Sequence, residues 1–132
     1  MIWCVDVATG GIVWRKRPSE SPVHSSPAVD DQRVVYGSQD GNVYCLDRAD
    51  GSLLWSFPTG DQVNASPVIA DGLALVGSSD GRFYAIRLAD GKEVWSYATG
   101  DCIQGRAAVA GDLVIFGCDD GYVYAVKRGA PP

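Results

Sequence analysis

The stretch Tyr36-Gly37-Ser38-Gln39-Asp40-Gly41-Asn42-Val43-Tyr44 returns as Val76-Gly77-Ser78-Ser79-Asp80-Gly81-Arg82-Phe83-Tyr84. It returns again as Phe116-Gly117-Cys118-Asp119-Asp120-Gly121-Tyr122-Val123-Tyr124, a step of 40 residues each time. Trp14, Trp55 and Trp95 keep almost the same step, each after a turn that contains a glycine, Gly11, Gly51 or Gly91. A fixed period near forty residues marks blades, solenoid units or arrays, so the repeat governs fold and function before any single residue does.

Between the turn signals lie short runs of β-branched and aromatic residues, and none carries a helical stripe. The chain therefore reads as all-β. Its middle unit is a four-stranded antiparallel meander: Ala65 to Ile69, a turn at Ala70-Asp71-Gly72, and Leu73 to Ser78. It continues through a turn at Ser79-Asp80-Gly81, Phe83 to Arg87, a turn at Ala89-Asp90-Gly91, and Glu93 to Tyr97. Asp-Gly suits such turns because glycine adopts positive φ without strain and aspartate can bond the backbone that follows it. Gly41, Gly81 and Gly121 are thus structural residues of the repeat, as are the three tryptophans.

With 132 residues the chain holds about three such units, whereas closed propellers use about 4–8 blades of four strands. The expected division is a partial blade over 2–16, blades over 22–57 and 63–97, and a partial blade over 103–127. The opening piece supplies a third and a fourth strand, and the closing piece a first, a second and a third. Such an incomplete ring reads as an excised piece or as a subunit that starts mid-blade.

A net charge of −5 speaks against a broad phosphate-binding face, and the basic run Arg15-Lys16-Arg17 reads as a solvated edge, so nucleic acid is not an expected partner. No apolar run reaches the ~18–20 residues that span a bilayer, and no membrane insertion is expected. Met1 to Asp6 lacks the pattern of a secretory signal. The cysteines, Cys4, Cys45, Cys102 and Cys118, form no Cys-x-x-Cys. Cys4 and Cys45 share their repeat position with Ala85 and Ala125, which gives them a small apolar role in the core.

Ser26-Pro27-Ala28-Val29, Asp40-Gly41-Asn42-Val43-Tyr44-Cys45-Leu46-Asp47 and Asp90-Gly91-Lys92-Glu93-Val94-Trp95 carry a resemblance to a known family. They resemble the repeat of the pyrroloquinoline quinone (PQQ)-like β-propellers, over nearly the whole chain. The resemblance implies blades around a channel and, for a bacterial member, an extracytoplasmic place. Its noncatalytic branch acts in outer-membrane protein assembly or as sensor modules; its enzymatic branch comprises quinoprotein dehydrogenases. The enzymatic site needs calcium ligands, a catalytic carboxylate and typically two adjacent cysteines, and this chain has no Cys-Cys. A single histidine excludes a multi-histidine metal site within one chain, and no nucleophile elbow or phosphate loop occurs. The sequence therefore assigns no catalytic residue, no metal ligand and no cofactor. It reads as a noncatalytic scaffold for protein interaction, ligand binding or assembly. The alternative is a fragment of a quinoprotein dehydrogenase whose cofactor site lies on other blades.

One set of residues remains for recognition. Ahead of each inner strand run Val23-His24-Ser25-Ser26, Val63-Asn64-Ala65-Ser66 and Ile103-Gln104-Gly105-Arg106. An apolar anchor stays fixed while His24, Asn64 and Gln104 vary, as residues of a recognition surface do on a constant scaffold. With Arg106 they would border the channel mouth and take a protein or a small polar or anionic ligand. The expected assembly partner is a second copy: two arcs would form a ring of about six blades around a mixed blade, with one third strand left over.

Overall fold

A computed structural model describes residues 1–128. Its thirteen strands are β1 (Ile2–Val5), β2 (Ile12–Lys16), β3 (Ala28–Val29), β4 (Arg33–Gly37), β5 (Asn42–Asp47), β6 (Leu53–Pro58), β7 (Val68–Ala70), β8 (Leu73–Gly77), β9 (Arg82–Arg87), β10 (Glu93–Ala98), β11 (Ala108–Ala110), β12 (Leu113–Gly117) and β13 (Val123–Lys127). They form four antiparallel sheets, β1-β2, β3-β4-β5-β6, β7-β8-β9-β10 and β11-β12-β13. These are β-propeller blades, two complete and two partial. The inner strands are shorter than the sequence suggests. Pro27 and Pro67 sit one residue ahead of β3 and β7, where a residue without an N–H removes no ladder bond.

The turns follow from their residues. Asp71 and Gly72 both have positive φ, 49° and 74°, the conformation that closes a two-residue hairpin with the twist its strands require. In the other Asp-Gly turns only the glycine turns left-handed, with φ of 93° at Gly41, 85° at Gly81 and 90° at Gly121. The aspartate then accepts the amide two residues on: Asp40 Oδ1 from Asn42 at 2.8 Å, Asp80 Oδ1 from Arg82 at 2.8 Å, and Asp120 Oδ1 from Tyr122 at 3.0 Å.

Side-chain alternation gives each sheet two apolar faces, one toward each neighbour. Val35, Val43 and Cys45 of the second sheet meet Val63, Ala74, Val76 and Ile86 of the third. Leu75, Phe83 and Ala85 of the third meet Ile103, Val114 and Phe116 of the fourth. Phe83 and Phe116 stack across that joint with centroids 4.2 Å apart. Two devices repeat at the joints. The indole N–H of Trp14, Trp55 and Trp95 donates to a carbonyl of the following sheet, at Arg48 (2.8 Å), Leu88 (2.8 Å) and Arg128 (2.7 Å). The joints of the second sheet with the third and of the third with the fourth are also closed at a glycine. A Cβ on Gly37 would overlap the Val63 side chain, and one on Gly77 would overlap Ile103.

The three tryptophans are not equally buried. Trp14 and Trp95 are 8% and 4% exposed, whereas Trp55 is half-buried. Full burial of the middle indole, which the repeat suggests, does not hold. The large loss, about 3–5 kcal/mol, is therefore expected for Trp95→Ala, with a smaller one for Trp55→Ala. Urea unfolding that ranks the two the other way would contradict this packing.

Gly77→Ala and Gly117→Ala form a second test, because the chemical change is identical. A Cβ at Gly117 meets nothing within 4 Å. Overpacking at Gly77 should cost about 1–3 kcal/mol more than the same change at Gly117, read as the difference in unfolding free energy.

Candidate functional site

The connections that lead into β3, β7 and β11 lie at the same end of the sheets as the turns Asp40-Gly41, Asp80-Gly81 and Asp120-Gly121, and backbone bonds fix them there. The amides of Val63 and Ile103 donate to the carbonyls of Ser38 and Ser78 in the preceding sheet, at 3.0 and 3.1 Å. Within each sheet the amides of Gln39, Ser79 and Asp119 donate to Pro22, Gln62 and Cys102, at 3.0, 2.9 and 2.9 Å. Val63 and Ile103 are fully buried. Val63 and Ile103 are thus plugs that carry the residues after them outward, whereas Val23, at the same repeat position, is half-buried.

His24, Asn64 and Gln104 stand at those outward positions. His24 and Gln104 are exposed and Asn64 is half-buried. Gln39 joins the first two: its Nε2 lies 3.3 Å from His24 Nδ1 and donates to Asn64 Oδ1 at 3.1 Å. Asn64 in turn donates to Gln62 Oε1 at 3.4 Å. Gln104 is not part of this chain of amides and donates to Asp119 Oδ2 at 2.6 Å. Arg106 is exposed, and among the described residues no ion pair holds it. It replaces Ser66, whose hydroxyl accepts the Ser26 amide at 2.8 Å and links neighbouring lead-in segments.

Gln39 and Asp119 were not singled out by the sequence reading, although the signal was present. The residue before each Asp-Gly varies as Gln39, Ser79 and Asp119 while the pair itself does not. Asp119 puts a carboxylate beside Gln104.

The aspartates of the turns have a structural task. Asp40, Asp80 and Asp120 each accept a phenol hydroxyl four residues on, from Tyr44, Tyr84 and Tyr124, all at 2.5 Å. Asp80 and Asp120 also accept the amides of Gly60 and Gly100 at 2.9 and 3.4 Å, tying the previous connection to the turn. Burial pushes Asp40 up, but bonds from Tyr44 and the Asn42 amide outweigh it and hold the carboxyl below its ordinary value. Asp120 is lowered chiefly by the Tyr124 hydroxyl. The same bond pushes the Tyr124 phenol up to about 12.

The four cysteines are free thiols. Cys45 is fully buried, and burial pushes its thiol up to about 12, in keeping with a small apolar role. Cys118 occupies the place of Ser38 and Ser78. Its thiol lies 3.3 Å from Thr99 Oγ1, where Ser78 Oγ meets Thr59 Oγ1 at 2.9 Å. Among the described residues no group of three or more acidic, cysteine or histidine side chains could hold a metal.

A family model described as outer membrane protein assembly factor BamB matches residues 1–130. The chain is similar to the crystal structure of BamB from Moraxella catarrhalis, 24% identical with a TM-score of 0.78 over 90% of this chain and 37% of that one. It is equally similar to a quinohemoprotein alcohol dehydrogenase from Pseudomonas putida, 27% identical with a TM-score of 0.79 over 89% of this chain and 21% of that one. Among curated proteins, the beta-alanine-activating enzyme of Danio rerio is 39% identical over 56 residues, 42% of this chain and 5% of that protein. The chain thus spans well under half the length of each.

The depressed carboxyls set a pH dependence. A group whose folded pKa is lowered contributes stability that is present above its unfolded value, about 3.9 for aspartate, and lost as pH falls through the folded pKa. Stability should therefore decline below about pH 4, and Asp40→Asn should flatten that decline. Urea unfolding at pH 3 and pH 6 reads both effects; an acid limb unchanged by Asp40→Asn would assign it to other groups.

Proposed function

The chain belongs to the family described as outer membrane protein assembly factor BamB, and from that premise we propose that it is a noncatalytic propeller module that recognises a partner at its mouth. One observation carries the reading: buried apolar plugs at Val63 and Ile103 hold Asn64 and Gln104 outward at one end of the repeat, and His24 stands at the same position after the half-buried Val23. Loops that vary on a fixed scaffold supply recognition without chemistry. The ligand class is a peptide segment or small molecule with polar or anionic groups. Arg106 would give a charge-assisted bond and the amides of Gln39, Asn64 and Gln104 the orienting ones. The family description, which names the outer membrane, supports an extracytoplasmic place for this activity.

The proposed assembly is a two-fold dimer whose incomplete end sheets cover one another. In the single chain Trp3 and Val5 of β1 are each 51% exposed and Val123 of β13 is 75% exposed. Their counterparts in the complete sheets, Tyr44 for Trp3, Leu46 for Val5, and Val43 and Phe83 for Val123, are all buried. Unpaired strand edges beside such faces favour association. Light scattering at micromolar concentration should report about twice the 14.0 kDa chain mass. A monomer that persists at high concentration would reject the dimer and leave the mouth reading intact.

Ligand-observed nuclear magnetic resonance with anionic peptides and small acids tests the mouth. Binding should weaken about tenfold or more in Arg106→Ala, the scale of one charge-assisted bond. Binders insensitive to that change and to Gln104→Ala would move the site elsewhere. Addition of pyrroloquinoline quinone with calcium tests the rival reading, a segment of a quinoprotein dehydrogenase. A saturable cofactor absorbance would favour the rival.

A further inference from the structure

We infer that one proton sets which polar group the mouth takes beside His24: an amide when the imidazole is neutral, a carboxylate when it is charged. This rests on the mouth reading for its ligand, whereas the device itself belongs to the free protein. Four side chains at the mouth ends of the two complete sheets form an unbranched chain. Gln39 Nε2 lies 3.3 Å from His24 Nδ1 and donates to Asn64 Oδ1 at 3.1 Å, and Asn64 Nδ2 donates to Gln62 Oε1 at 3.4 Å. His24 and Gln62 are exposed, and Gln39 and Asn64 are half-buried.

The direction of the chain is fixed at its first link. An amide nitrogen only donates, so His24 Nδ1 accepts and the ring proton stands on Nε2, the neutral imidazole. Gln39 spends both N–H groups, on His24 and on Asn64. Among the described residues, Gln39 Oε1 and the Nε2–H of His24 then have no partner. One acceptor beside one donor is the complement of an amide, which offers an N–H and a carbonyl.

Protonation of Nδ1 sets a donor against a donor. Gln39 relieves this by half a turn of its amide, which has nearly the same shape either way and brings Oε1 to the imidazolium. Oε1 then faces Asn64 Oδ1, two acceptors, so Asn64 turns, and Gln62 turns after it. The freed Gln39 N–H groups now stand beside a charged ring, and two donors with a positive charge suit a carboxylate, which only accepts. No carboxylate of the chain takes that place. Among the described residues, Asp40, Asp61 and Asp80 at this end are held by Tyr44, the Gln62 amide and Tyr84, Glu20 pairs with Arg17, and none is bonded to His24.

The test uses the full protein labelled with nitrogen-15, titrated between about pH 8 and pH 5, where imidazole ordinarily changes charge. The side-chain amide signals of Gln39, Asn64 and Gln62 should all shift along the titration curve of the His24 ring, and His24→Ala should leave them fixed. Acetate and N-methylacetamide are then added as probes. Acetate should shift the His24 and Gln39 signals and bind about tenfold more tightly at the acid end, the scale of one charge-assisted bond, while N-methylacetamide binds more tightly at the alkaline end. Gln62 signals that ignore the His24 titration, or that titrate unchanged in His24→Ala, would overturn the relay, and probe affinities equal at both ends would overturn the selectivity. Concerted titration with neither probe bound would instead overturn the mouth reading, and the inference with it.

Discussion

Everything else in this structure depends on how closely one sheet approaches the next at a glycine. Val63 and Ile103 are pressed onto Gly37 and Gly77, where even a methyl group would overlap them. The approach lets the amides of Val63 and Ile103 reach Ser38 and Ser78. It also buries both plugs fully. Polar and apolar demands are met at one point, so the connection between sheets has a single position. The residues that follow the plugs, Asn64 and Gln104, inherit that position.

A second set of cross-sheet contacts works at the opposite end of the strands. The tryptophans bond forward to Arg48, Leu88 and Arg128. Trp14 and Trp55 lie flat on Gly51 and Gly91, whose Cβ atoms would come within 2.6 Å of the rings. The joints between the second and third and between the third and fourth sheets are thereby pinned at both ends of their apolar seams. This division separates what is invariant from what can change. Asp40, Asp80 and Asp120 are committed to phenols and amides, whereas Gln39, Ser79 and Asp119 beside them are free to differ.

The fold was legible in the sequence because the period is long, repeated and marked by residues with few structural alternatives. Asp-Gly reads as a turn wherever it falls, and a tryptophan at a fixed step reads as a packing element. The acceptors of the indoles were not legible, since a backbone carbonyl leaves no trace in residue identity. Nor was the pairing of Gln39 with Asn64, which joins residues of different sheets. The short inner strands were overextended because Ser26-Pro27 and Ser66-Pro67 look like strand and act as lead-in. Trp55 lies shallower than Trp14 and Trp95, because a shared repeat position sets the direction of a side chain but not how fully its neighbours cover it. His24, Asn64 and Gln104 could be named from variation on a fixed frame; whether they meet one ligand depends on contacts that the frame alone does not determine.

Native-state hydrogen exchange at Val63 and Ile103 tests the central claim, that the glycine-closed joints fix the lead-in segments. Their amides should exchange only through global unfolding, with protection that follows denaturant as the whole protein does. Exchange of either amide through a local opening, insensitive to denaturant while the strands stay protected, would show that the joint yields on its own and that Asn64 and Gln104 have no rigid support.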